Sequence, residues 1–271
     1  MKNKIKKQNK KNLFLLIGIA ILLIIILLIV LSLKDASIKD YYEIKPRAEK
    51  ASGEFNGDTY SYEKVGWIQV QGTSIDLPVL YSLEVRYPVE LEGYAHMTKY
   101  YPGFHNHLEV EGHNIFNLSA HPKIESKSFV RFEALMAFVY YDFAKENKYI
   151  QLTYGGEEYL YKIFMAGFIP ETVAYRLPFS LDYTEDQMKE FLEKVDSYNI
   201  YDFDVDVSTE DSVLVLNTCT RFFGQNDDRG FYVIGRLVRD NEKIRNYSVT
   251  KNENYKEIEK ILKGSEENEE M

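Results

Sequence analysis

Apolar and polar positions divide the chain into stretches of different period. Leu13 to Leu33 is a run of 21 residues without a charge. As a helix rising ~1.5 Å per residue it would be about 30 Å long, the thickness of a bilayer core. Trp67-Ile68-Gln69-Val70-Gln71 alternates apolar and polar, the period of a half-buried strand. Ile75 to Leu80 reads as a second short strand, which Pro78 confines to an edge or an end. Ile115 to Ala120 is another short apolar segment. Phe132, Leu135, Met136, Val139 and Phe143 recur at helical spacing within Phe129 to Lys145. Tyr149 to Tyr154 and Tyr159 to Phe168 alternate as strands, with Gly155-Gly156 as the turn between them. Thr184 to Val195 carries the clearest helix signal. Thr184 and Gln187 form a capping box, and Met188, Phe191, Leu192 and Val195 make one apolar stripe. Ser212 to Asn217 and Phe231 to Val238 are continuous apolar strands, and Lys256 to Leu262 suits a short amphipathic helix. Strands dominate and short helices intervene, so the fold class expected is mainly β: a closed β-barrel with inserted short helices, preceded by one N-terminal transmembrane helix.

This pattern gives a domain plan: a basic cytoplasmic tail (1–12), a transmembrane anchor (13–33), a helical or irregular stalk (34–64), a β-barrel domain (65–240) and a charged C-terminal tail (241–271). The tail's last acidic residues are read as a solvated, disordered end. Lys2, Lys4, Lys6, Lys7, Lys10 and Lys11 precede the apolar run with no acid among them, which places the N-terminus in the cytoplasm and the remainder outside the cell. The length of the run, and the absence of a small-x-small site in Ser-Leu-Lys-Asp-Ala-Ser after it, favour an uncleaved anchor over a signal peptide. A net charge of −9 argues against a nucleic-acid partner, because phosphate neutralisation needs clustered Lys and Arg. A single cysteine excludes an internal disulfide and a cysteine-based metal site.

That cysteine, Cys219, follows the strand Val213-Leu214-Val215-Leu216-Asn217-Thr218, where a rigid support meets a loop. A small buried hydrophobe is one reading of it; a nucleophile is the other. A thiol nucleophile needs a proton partner and an oxyanion stabiliser. All five histidines, His96, His105, His107, His113 and His121, fall in one 26-residue window, and Arg221 and Arg229 follow the cysteine. His105-x-His107 could open a zinc site, but no third or fourth ligand is evident, and no metal or other cofactor is expected.

Taken in order, these parts resemble the sortases, membrane-anchored cysteine transpeptidases of Gram-positive bacteria, and class B among them. The residues that carry the resemblance are the hydrophobic strand ending in Thr218-Cys219, Arg229 ten residues later, the closing strand Phe231 to Val238, and the opening segments Gly66 to Val70 and Gly72 to Val79. The helix at Thr184 to Val195 also precedes the cysteine strand as in class B. The stretch from Arg229 to Gly235-Arg236-Leu237 is one residue longer than the family's, which Gly230 could absorb as a bulge; otherwise Arg221 takes the role of Arg229. The resemblance implies that Cys219 attacks a Thr carbonyl in a C-terminal sorting signal of a surface protein. It also implies that Arg229 hydrogen-bonds substrate or oxyanion, that Thr218 assists that pocket, and that a peptidoglycan-precursor amine accepts the protein. For the proton partner, His121 is preferred over His113: an apolar segment leads into it and Phe129 follows, whereas Glu109-Val110-Glu111 makes an acidic approach to His113. A pilin-polymerising enzyme with a Lys acceptor, a peptidase that only hydrolyses, and an inactive binding module on the same barrel are the alternatives.

Overall fold

The computed structural model describes residues 50–55, 58–81, 95–101, 103–112, 132–177, 180–220, 222–224 and 227–269, with Gly18 and Ile24. The anchor proposed at 13–33 and the segment Ile115 to Ala120 thus lie outside the described residues, those two positions apart. Among the described residues no helix is long and apolar enough to cross a membrane. Contacts group residues 41–242 and 246–271 in one unit, which holds nearly all of the described structure.

That unit is a closed barrel. Its strands are β1 (Lys50–Phe55), β2 (Asp58–Val70), β3 (Asp76–Tyr81), β4 (Ala95–Met97), β5 (His107–Glu111), β6 (Tyr149–Tyr154), β7 (Glu157–Pro170), β9 (Val213–Cys219) and β10 (Arg229–Leu237), with the short β8 (Tyr201–Phe203) and β11 (Val249–Lys251) forming a separate ribbon. The main sheet runs β1-β2-β3-β4-β5-β9-β10-β7-β6, and β6 pairs back onto β2 to close it. Two pairs are parallel, β3 with β4 and β5 with β9; the others are antiparallel. Pro78 lies within β3, opposite Trp67 of β2, and not at an edge of the sheet as expected; among the described residues β4 pairs with Val79 and Leu80 just after it.

The interior is filled by the inward residues of alternating strands, among them Leu108, Val110, Leu214, Leu216, Phe231 and Val233, all buried. A 3-10 segment (Phe132–Val139) and α1 (Tyr141–Glu146) pack into the core through Phe132, Leu135, Phe138, Val139 and Ala144; the helical spacing read there is real, but the chain breaks its regular winding at Tyr140. After β7 comes the short α2 (Glu171–Ala174), and then α3 (Glu185–Asp196). Helix α3 starts at the expected capping box: Gln187 N–H donates to Thr184 Oγ1, and Thr184 N–H donates to Gln187 Oε1. Its Met188, Phe191 and Val195 cover Met165, Ile169, Val213, Val215 and Ile234 on the outer face of the sheet.

Three further expectations are corrected. The described part of the stalk, residues 50–55 and 58–64, is strand rather than helical or irregular, since β1 and the first half of β2 pair as a hairpin before residue 65. Gly230 is not a bulge; it pairs regularly with Cys219, and the irregularity lies where Ile234 and Gly235 meet Met165 and Ile163 of β7. The tail is part of the fold, because β11 pairs with β8 and α4 (Tyr255–Glu269) seats Tyr255 and Ile258 in the core. The turn between β11 and α4 is held by hydrogen bonds from the Asn252 and Asn254 side chains to the carbonyl of Asn199.

Candidate active site

Parallel pairing of β5 with β9 decides which chain ends meet. Glu111 stands in register with Asn217 near the ends of both strands. One residue on, Gly112 N–H donates to the Asn217 carbonyl over 3.2 Å, and Thr218 Oγ1 donates to the Gly112 carbonyl over 2.8 Å. Cys219 is the next residue of β9, exposed, and opposite Gly230 on β10. Strand alternation puts Cys219 on the outer face with Asn217, Gly230 and Tyr232, whereas Thr218 turns into the barrel beside Leu216 and Phe231.

Thr218 is buried and its hydroxyl is committed to Gly112, so it braces the end of β5 against β9 rather than facing a substrate oxyanion. Arg229 opens β10 one residue from Gly230. Its Nε and Nη2 donate to both oxygens of Asp227, at 2.7 to 3.0 Å, and its guanidinium lies 3.2 Å above the Phe223 ring. Nη1 faces Glu257 of α4 at 3.9 Å, too far for a hydrogen bond. The fork therefore keeps N–H donors for another acceptor while Asp227 and Phe223 fix its plane. His121, His113 and Arg221 lie outside the described residues.

The electrostatics around Cys219 are acidic. Partial burial pushes its thiol up, and the nearby carboxylates of Glu111 and Glu171 push it further. Burial also raises the neighbouring Tyr232 phenol, with Glu109, Glu111 and Glu171 adding to it. A thiol in this field stays protonated at neutral pH until a base takes the proton.

The His-x-His pair has a structural duty. His105 places Nδ1 2.9 Å from Asp182 Oδ2 and Nε2 2.9 Å from the Tyr101 carbonyl. His107 donates through Nδ1 to the Ser180 carbonyl and stacks on Tyr183, with ring centroids 4.1 Å apart. Asn106 exchanges side-chain bonds with the Tyr183 backbone. Residues 105–107 are thus zipped to 180–183, just ahead of α3.

Sequence reading missed His96, Glu111, Glu171 and Asp227. His96 on β4 is paired with Glu111, both are buried, and His96 Nδ1 is 3.6 Å from Glu111 Oε1. The signal for Glu111 was present as the alternation Leu108, Glu109, Val110, Glu111, which is that of a strand with one acidic face.

No family model matches the chain. Sortase B of Staphylococcus aureus (strain NCTC 8325 / PS 47) is 22% identical over 179 residues, spanning 65% of this chain and 70% of that protein. Among solved structures, a sortase B–substrate complex from S. aureus superimposes with a TM-score of 0.52 at 18% identity, covering 65% of this chain and 80% of the other. Clostridium perfringens sortase B gives a TM-score of 0.53 at 19% identity, covering 65% and 93%. A sortase B complexed with triglycine gives 0.51 at 18% identity, covering 65% and 80%. The chain is similar in sequence to sortase B and has the sortase fold.

Proposed function

We propose that this protein is a sortase-type cysteine transpeptidase of class B character, anchored in the cell membrane through residues 13–33. Its N-terminus lies in the cytoplasm and its barrel outside the cell. Cys219 attacks the carbonyl of a Thr in the sorting signal of a surface protein, the C–N bond breaks, and a thioester holds the protein on Sγ. An amine of the cell-wall precursor then displaces the thiol. The observation that carries this reading is the meeting of three chain ends: exposed Cys219 closing β9, Arg229 opening β10 beside it, and Gly112 of β5 tied to Asn217 and Thr218.

Such a site needs a base, because Glu111 and Glu171 disfavour the thiolate. His121 is the choice on sequence context. The bonds of Gly112 favour His113 instead: it follows Gly112 directly, so one peptide, ~3.8 Å between Cα atoms, separates it from a residue fastened beside Cys219. His121 is eight residues further along. Arg229, steadied by Asp227 and Phe223, turns its remaining donors to a substrate carbonyl or the oxyanion. The raised thiol is also what an inactive binding module on this barrel would show.

The test uses the full chain in detergent, a panel of Thr-containing sorting peptides, and hydroxylamine as acceptor, read by mass spectrometry. A thioester on Cys219 and a peptide hydroxamate are expected. Both should vanish in Cys219→Ala, and activity should fall by at least about a hundredfold in His113→Ala but not in His121→Ala. The reverse result returns the role to His121. Hydrolysed peptide with no hydroxamate indicates a peptidase, and no adduct across the panel indicates the binding module.

A further inference from the structure

On the outer face of the sheet, β4, β5, β9 and β10 lie side by side, and the chain leaves β7 next to them through Glu171. Cys219 therefore has Glu111 one strand to one side and Glu171 beyond β10 on the other. Two facts about this floor lack an explanation within the barrel itself.

The first is a set of orphaned buried atoms, one of the two His96 nitrogens being a donor and the other, like Glu111 Oε1, an acceptor. Both ring nitrogens of His96 and Oε1 of Glu111 are buried with no hydrogen-bond partner among the described residues. His96 is 5% exposed and Glu111 9%. The 3.6 Å between Nδ1 and Oε1 is too long for a hydrogen bond and leaves the pair slack. A buried polar group left this way is costly, and native folds rarely keep one without a use. The second is the sign of the field. Glu111 and Glu171 both oppose ionisation of the very sulfur the chemistry needs. One ligand answers both. A primary ammonium carries three N–H donors and no acceptor, so it can satisfy a carboxylate oxygen and a neutral imidazole nitrogen together. Its charge cancels the field of Glu111 at Cys219. Once Cys219 is a thioester there is no thiolate to repel, and the same carboxylates draw a cation toward the acyl group.

We propose that His96 and Glu111 are the docking site for the ammonium group of the acceptor amine. This rests on the transpeptidase reading above and extends it. The site takes primary ammonium groups, whether of a cell-wall peptide or of a lysine side chain, and holds the cation on the β5 side of Cys219; its nitrogen attacks the thioester only after giving a proton to the base of the transfer step.

The decisive experiment needs no sorting signal. Alkylation of Cys219 by iodoacetamide is followed against pH on the full chain in detergent, with butylammonium, with butanol as neutral control, and with neither. In the wild type, butylammonium should lower the pH midpoint by roughly one unit, and butanol should not move it. Glu111→Gln should lower the midpoint by itself and abolish the effect of butylammonium. An unmoved wild-type midpoint, or an equal shift in Glu111→Gln, overturns the proposal; the wild-type arm stands even if the variant folds poorly. In the transfer assay, Glu111→Gln should raise KM for butylammonium at least about tenfold and spare transfer to hydroxylamine, which is uncharged at the same pH. A KM raised equally for both acceptors also overturns it. A chain that shows the alkylation shift but never transfers peptide loses the transpeptidase reading, whereas one that transfers without the shift loses only this inference. With the site established, a lysine peptide and a cell-wall tripeptide compared as acceptors separate the two sources.

Discussion

Two buried ionic clusters sit on the same barrel and are built in opposite ways. At the far end of β10, Arg236 is buried and both of its terminal nitrogens bond Glu242, with Nη1 also reaching the Leu237 carbonyl. Lys162 of β7 binds the same carboxylate, and Arg239 N–H donates to it. Glu242 is accordingly held well below the usual carboxylate range, first by the Arg236 guanidinium and then by Lys162, against an opposing contribution from burial. At the Cys219 end, His96 and Glu111 are buried as well and touch without bonding. The first cluster joins β10, β7 and the turn after β10 and pairs every charge in it, leaving Arg236 Nε as its one buried atom without a partner among the described residues. The second leaves buried atoms without partners among the described residues, in register with Asn217 two residues before Cys219. A buried charge that satisfies its neighbours is architecture; one that does not is suited to receive a ligand.

The comparison breaks most visibly if Glu242 is truncated. Glu242→Ala strands Arg236, 2% exposed at its side chain, without its counter-charge. A loss of about 3–5 kcal/mol in urea unfolding is expected. Adding Arg236→Met should recover much of it, because an uncharged side chain of similar length leaves nothing unpaired. A loss under ~1 kcal/mol in the single variant would mean the cluster is solvated rather than closed.

His107 supplies a buried group satisfied in the neutral state only. Burial is the main cause that lowers it to about 4, with the bond to the Ser180 carbonyl acting against that. Its folded value lies below the unfolded value of ~6.5, so between those limits the unfolded chain binds more protons. Stability should therefore be complete above pH ~6.5 and decline as the pH falls toward 4, by up to about 3 kcal/mol. Carboxylates such as Glu242, whose folded value is depressed, add their own loss only as the pH falls below their unfolded value of ~4.3. Melts of the wild type and His107→Gln between pH 7 and 4.5 should converge in the acid range. Parallel curves would show that the imidazole is not kept neutral.

How much of this was legible in the sequence differs between local and nonlocal features. Helix α3 was readable to its capping box, because Thr184, Gln187 and the stripe of Met188, Phe191 and Val195 act within a few residues. Strands β6, β7, β9 and β10 were readable from period and apolar runs. The Thr218-Cys219 strand end and Arg229 were readable as well, being fixed by the hairpin-like pairing of β9 and β10. What escaped depends on register between distant strands. Glu109-Val110-Glu111 looks like an acidic approach to a loop, and only the parallel pairing with Val215-Leu216-Asn217 turns it into one face of the site floor. His96 acquires meaning only from its register with Glu111. In the C-terminal region the amphipathic helix at Lys256 to Leu262 was legible, but not its docking, in which Tyr255 and Ile258 are buried and the Tyr255 ring lies tilted against Tyr201 with centroids 5.3 Å apart.

The smallest expected effect is also the one that separates the two clusters most sharply. Glu111→Gln removes a buried carboxylate whose Oε1 has no partner, and keeps the shape of the side chain. In a closed cluster such a change costs stability, as at Glu242. At Glu111 the charge removed was uncompensated, so its desolvation cost goes with it and little attraction is lost. The variant should be as stable as the wild type or more stable, by up to about 1 kcal/mol in urea unfolding. A loss of more than ~1 kcal/mol would mean that Glu111 is bonded as Glu242 is, and that the slack between His96 and Glu111 is closed in solution without any ligand.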